Sequence, residues 1–199
     1  MKMNTRAVAI ALNPVMAALI LAACGGGSGE PTLQGRFVDG PVAGLAYSTA
    51  AGINGTTDSN GTFSYGGGTP ADKVSFKVGA LALGTAAGAS VITPLDLVAG
   101  AAVSDARVLN RLQLLQSLDS DKDVDNGIVI DTTLAAKLND TVKPDATDGT
   151  QFEAALKTVL GTTPVARGLA RESFESSLAA LGRSVTIIKE VISGGDVVI

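Results

Sequence analysis

The chain has 199 residues with no His, no Trp and one Cys, and its formal charge is −4, from 15 Lys and Arg against 19 Asp and Glu. Catalytic Ser–His or Cys–His pairs, imidazole-based zinc sites, haem attachment through C-x-x-C-H and an intrachain disulfide are therefore excluded. An acidic chain is also a poor nucleic-acid binder, because phosphate recognition needs clustered Lys and Arg.

Residues 1–23 read as an export signal. Lys2 and Arg6 form a short positive end, followed by an apolar run interrupted only by Asn13 and Pro14. The run is too short for a bilayer-spanning helix, and Pro14 breaks it. Leu21-Ala22-Ala23-Cys24 then precedes Gly25. This resembles the lipobox of bacterial lipoproteins, in which the peptide is cut before the Cys. The resemblance implies that the Cys24 sulfur receives a diacylglycerol and that its new amino group is acylated. Two or three acyl chains anchor firmly where one is marginal. Gly25 differs from the Asp that favours inner-membrane retention in enterobacterial lipoproteins, which points to a lipid anchor in the outer membrane.

Cleavage at that point leaves 176 residues without Met, and a net charge of −6, because Lys2 and Arg6 leave with the signal. Residues 24–32 are a Gly- and Ser-rich tether, expected to be flexible.

Residues 33–92 alternate apolar and polar positions in short runs, as in Lys73-Val74-Ser75-Phe76-Lys77-Val78. Turn signals separate the runs: Asp39-Gly40-Pro41, Gly52, Asn54-Gly55 and Asn60-Gly61. The Asn-Gly pairs are expected to supply the positive φ of tight hairpins, and Asp39 and Asp58 to be turn residues. Gly35-Arg36-Phe37-Val38-Asp39-Gly40-Pro41-Val42-Ala43-Gly44, followed by Thr57-Asp58-Ser59-Asn60-Gly61-Thr62-Phe63, resembles carboxypeptidase-regulatory-like and transthyretin-like β-sandwich modules. The resemblance implies a small antiparallel sandwich with Phe63 plugging its core, and no activity.

A longer stretch, roughly 34–131, resembles proteobacterial envelope proteins through Leu83-Gly84, Thr93-Pro94-Leu95-Asp96-Leu97 and Arg111–Asp119. No established activity comes with that likeness.

Residues 93–199 change to a helical period. Thr93 is expected to cap a helix with Pro94 at its first position. Ser104 is expected to cap a helix running to Leu118, with Val108, Leu109, Leu112 and Leu115 on one face. Asp131 should cap a short helix over 133–138, and Thr150–Glu153 reads as a capping box for a helix ending near Gly161. A further helix from Thr163-Pro164 should turn Leu169, Phe174, Leu178 and Leu181 inward. Val185–Ile199 reads as a hairpin or as a last helix with a frayed end. The fold class expected is α+β, a β-sandwich followed by a helical region.

One segment carries a chemical pattern. Asp119-Ser120-Asp121-Lys122-Asp123-Val124-Asp125-Asn126-Gly127 places four carboxylates at alternate positions, with Asp131 as a further donor from outside. Alternate residues of a curled loop can converge on one cation, as in the D-x-D-x-D-G loops of EF-hands and dockerin-like repeats. The sixth place holds Val124 where that pattern has Gly, and the twelfth holds Ile130 where it has Glu. Two readings stay open: a structural calcium site pinning the helix end to Ile128–Ile130, or a solvated acidic loop compensated by Lys122 and Arg111.

No G-x-S-x-G elbow, S-x-x-K pair or P-loop is present. The expectation is a non-enzymatic envelope lipoprotein with a binding, adhesion or structural role and no obligatory cofactor. The alternatives are an accessory lipoprotein of an envelope transport or secretion system and a small carboxylate-dependent hydrolase.

Overall fold

The computed structural model describes residues 31–68, 72–123 and 126–183. The expected signal, Cys24, Asp125 and the tail from residue 184 lie outside the described residues.

Strands β1 (Thr32–Phe37), β2 (Val42–Ala43), β3 (Ala46–Thr49), β4 (Asn54–Thr56), β5 (Thr62–Gly66), β6 (Lys73–Val78), β7 (Leu81–Ala87) and β8 (Val91–Ile92) come first. Helix α1 (Ala106–Ser117), strand β9 (Ile128–Val129) and helices α2 (Thr132–Ala135), α3 (Gly149–Leu160) and α4 (Arg167–Ala180) follow. The class is α+β, as expected. One sheet has the order β5-β1-β8, a second β4-β3-β6-β7, and β2 pairs with β9.

The pairing is not purely antiparallel. β1 runs parallel to β8 and β2 parallel to β9. Parallel pairing needs a crossover connection. For β2 and β9 that connection contains all of α1, so the helical part is tied into the strand region by backbone hydrogen bonds.

The alternation in β6 has its expected consequence. Val74, Phe76 and Val78 are buried, while Lys73 and Lys77 are exposed. Phe76 meets Phe37 of β1 at 4.7 Å between ring centroids and Phe63 of β5 edge-to-face at 5.2 Å. The two larger sheets thus face each other through three Phe rings. Burying each ring contributes about 1.5–3 kcal/mol, and the tilted contacts add to it.

The same apolar cluster continues into the helices through Leu114, Leu115 and Leu118 of the α1 region and Phe152, Leu156 and Leu160 of α3. A second cluster joins Val108 and Leu112 of α1 to Ala170, Phe174 and Leu178 of α4. α1 therefore has apolar partners on opposite sides, and nine of its twelve residues are buried.

Several local expectations are corrected. Asn54-Gly55 lies within β4, and the reversal before it uses Gly52 at φ 84°. The 93–97 segment closes as turns: Asp96 Oδ2 accepts from both the Thr93 amide and the Thr93 hydroxyl at 2.7 Å. The N-cap of α1 is Asp105, not Ser104, because the Asp105 carboxylate accepts from the Arg107 amide and also grips the Arg107 guanidinium. Asp148 caps α3, and Gly161 ends it at φ 74°. α4 starts at Arg167, later than Thr163-Pro164 suggests, and its inward stripe is Ala170, Phe174 and Leu178. Leu169, expected inside, is 62% exposed. The small Ala170 takes the inward place, and its carbonyl accepts a hydrogen bond from the Gln116 side chain of α1.

The Asp58 turn forms as expected. Its Oδ1 accepts from the Asn60 and Thr62 amides, both at 2.8 Å, and these bonds hold its carboxyl below the usual range. Gly61 sits there at φ 74°, and a Cβ would stand 2.5 Å from the Phe37 carbonyl oxygen. Gly52 has a similar φ but open space around it. Gly61→Ala should therefore cost more than the ~1–2 kcal/mol of left-handed strain expected for Gly52→Ala. Urea unfolding of the two variants checks this, and equal losses would contradict it.

Candidate functional site

The acidic segment is built on the end of α1. Leu118 closes the helix, and Asp119 follows it, fully buried. Both ends of the segment are pinned. The Ser120 amide donates to the Val129 carbonyl at 2.9 Å, the Asp131 amide donates to the Leu118 carbonyl at 2.8 Å, and Asp119 bridges to Ile130. The expected link between the helix end and Ile128–Ile130 is thus made by the main chain.

Within the segment, Asp119 Oδ1 accepts from the Val129 amide at 3.0 Å, while its Oδ2 is buried without a hydrogen-bond donor. Asp121 Oδ1 accepts from the Asp123 amide at 3.0 Å and its Oδ2 from the Asn126 side-chain amide at 2.9 Å. The Asp119 and Asp121 carboxyls lie within hydrogen-bonding reach of each other. Burial first, and then the Asp121 carboxylate, push the Asp119 pKa up. The Asn126 and Asp123 donors hold Asp121 down.

Lys122 takes φ 64°, rare for a side-chain-bearing residue. Its ammonium returns to the carbonyls of Ser117 and Asp119 and so covers the negative end of α1. Lys122 therefore compensates the helix end. Arg111, also expected to balance the acids, points elsewhere: it donates to the Leu83 and Arg107 carbonyls and pairs with Asp145 at 2.6 Å. Asp131 caps α2, accepting from the Thr133 and Leu134 amides. Asp123 is exposed. Among the described residues no group of three or more His, Cys, Asp or Glu is arranged to hold a metal ion.

Asp39 is the acid whose environment the sequence does not reveal. Its backbone is in the expected turn before Gly40, but the carboxyl points inward and is 1% exposed. Gln116 Nε2 of α1 donates to its two oxygens at 3.1 and 3.3 Å and to the Ala170 carbonyl at 3.1 Å. The Gly40 amide donates to Ser177 Oγ of α4 at 2.9 Å. The β1–β2 turn, α1 and α4 therefore meet at one buried acid. Burial raises the Asp39 pKa to about 8, against a smaller opposing effect of Gln116. Sequence offered little clue: Gln116 is one of several polar residues on α1, beside Asn110, Arg111, Gln113 and Ser117.

Two open grooves border the helical part. One, of about 350 Å³, is lined by Gly149, Glu153, Lys157 and Arg167. Arg167 there donates to Asn110 Oδ1 at 2.6 Å and to the Ala106 carbonyl. The other, of about 420 Å³, is lined by Leu81, Val142, Asp140 and Asp145, the last being the partner of Arg111.

The chain matches no protein-family model, no curated protein and no solved structure.

The Asp39 geometry has a consequence in solution. The folded chain keeps a proton on Asp39 up to about pH 8, whereas the unfolded chain releases it near 3.8. This contribution to stability is present below pH 4 and is lost as pH rises towards 8, at about 1.4 kcal/mol per pH unit. Asp39→Asn should remove that slope, so that urea midpoints of parent and variant diverge between pH 5 and 8 in the variant's favour. Parallel pH profiles would contradict the assignment.

Proposed function

We propose that the protein is a lipid-anchored lipoprotein of the bacterial outer membrane with a binding, adhesion or structural role. The observation that carries this reading is Leu21-Ala22-Ala23-Cys24, placed after a positive end and a short apolar run and before a Gly/Ser tether. The position of the first strand agrees with it. β1 begins at Thr32, eight residues beyond Cys24 in the sequence, so the tether is short and the strand region lies near the anchor. Among the described residues no helix is long and apolar enough to cross a membrane.

The strand region is read as a transthyretin-like module. Two facing sheets joined by Phe37, Phe63 and Phe76, and an Asp58–Gly61 turn leading into Phe63, support that reading. A binding role is favoured over hydrolysis because the acids with the most displaced pKa values, Asp39 and Asp105, are engaged in structure. Asp39 is enclosed between helices. Asp105 is held at about 2, first by the Arg107 guanidinium, as the cap of α1.

Cys24→Ser should move the protein from the membrane to the soluble fraction of lysed cells and abolish incorporation of labelled palmitate. Unchanged fractionation with retained label would reject the anchor.

A further inference from the structure

The pair Asp119–Asp121 poses an electrostatic problem that the surrounding residues do not solve. Asp119 is 0% exposed, and its Oδ2 meets no donor. The neighbouring group within reach is a second carboxyl, that of Asp121. Two carboxyl oxygens brought together need a proton or a cation between them. Among the described residues neither acid forms an ion pair. The nearest ammonium in sequence, Lys122, is spent on the carbonyls at the end of α1.

The arrangement is fixed by groups around the pair. The positive φ of Lys122 turns the chain immediately after Asp121. Donors from Asp123 and Asn126 hold the outer carboxylate, and the Val129 amide holds the inner one. β9, next to it, is fixed by parallel pairing to β2. The orientation of both carboxyls is thus determined before any ion arrives.

We propose that the space between the Asp119 and Asp121 carboxyl groups is a calcium site, with water completing the coordination. The ligands are hard oxygens, one buried and one exposed, in an irregular arrangement. Calcium accepts such a set, while magnesium demands a near-regular octahedron. Few protein ligands make a weak site, with Kd on the order of 10⁻⁴–10⁻³ M, in the range of extracellular modules. Such an affinity suits a protein outside the cytoplasm, but the site stands on the loop geometry and does not depend on the anchor.

The test uses the full chain in detergent, stripped of metal by a chelator and followed by scanning calorimetry at neutral pH. Calcium chloride at about 10 mM should raise Tm by about 3–10 °C, and magnesium at the same ionic strength by much less. Asp121 is exposed, so Asp121→Asn should fold; it should abolish the calcium response without lowering Tm in chelator. Asp119→Asn keeps an acceptor for the Val129 amide and should also lose the response. A parent without a calcium shift, or an equal shift in parent and Asp121→Asn, would overturn the proposal. If the parent ignores calcium and Asp121→Asn raises Tm in chelator, a shared proton is the occupant and the calcium site is refuted.

Discussion

The fold depends on one helix that has little contact with water. α1 is buried along most of its length, yet it carries Asn110, Arg111, Gln113, Gln116 and Ser117 among its leucines. A buried polar group costs stability unless it is hydrogen-bonded. Each of these side chains must therefore find a partner in whatever chain packs against it. Asn110 donates to the carbonyls of Pro144 and Ala146, and Arg111 to that of Leu83 in β7. Gln113 donates to the Val165 carbonyl, and Ser117 accepts from the Val165 amide. Gln116 reaches Asp39 and Ala170. The polar residues of α1 consequently specify which segment lies on which side, while its leucines supply the apolar burial.

The strand region and the helical region do not behave as independent layers joined by a linker. Leu114, Leu115 and Leu118 share an apolar cluster with Phe37, Phe63 and Phe76. The parallel β2–β9 pair brings the chain back to the strands immediately after α1. Asp39 and Gly40 bind Gln116 of α1 and Ser177 of α4, respectively. The turn that begins the strand module is therefore also the seat of the helices, and disturbing it acts on both.

Asp does several different jobs in this chain, and environment decides which. Asp105, Asp131 and Asp148 satisfy amides at helix starts, where a carboxylate also meets the favourable end of the helix dipole. Asp58 closes a turn in water, and its carboxyl is held ionised by amide donors. Asp39, in a turn of similar sequence, is enclosed and holds its proton to about pH 8. Asp119 is enclosed beside a second acid. In the first four cases local donors act on an accessible carboxylate. In the last two, desolvation dominates, and desolvation is a property of the packed molecule.

The parts legible in the sequence are those governed by near neighbours. The α+β class, the alternation of β6, the Asp58–Gly61 turn, the Asp131 cap and the glycine end of α3 follow from side-chain period and from groups two to four residues apart. The sequence also sets the composition of any site here: without His, Trp or a second Cys, chemistry falls to oxygen donors and backbone. Local patterns failed where a distant group competed. Leu169 faces out because α4 turns the stripe Ala170, Phe174 and Leu178 toward Val108 and Leu112 of α1, and the 93–97 segment stays a turn with Asp96 held by Thr93 and by Arg183, 87 residues further on. Asp39 and Asp58 look alike in the chain, and Arg111 looks like a counter-charge for the acidic segment. Only the packing of α1 between the sheets and α4 decides that Asp39 is neutral, that Arg111 serves β7, and that Asp119 is shut in with Asp121. Burial and charge compensation are sums over everything nearby in space, and a linear reading sees only what is nearby in the chain.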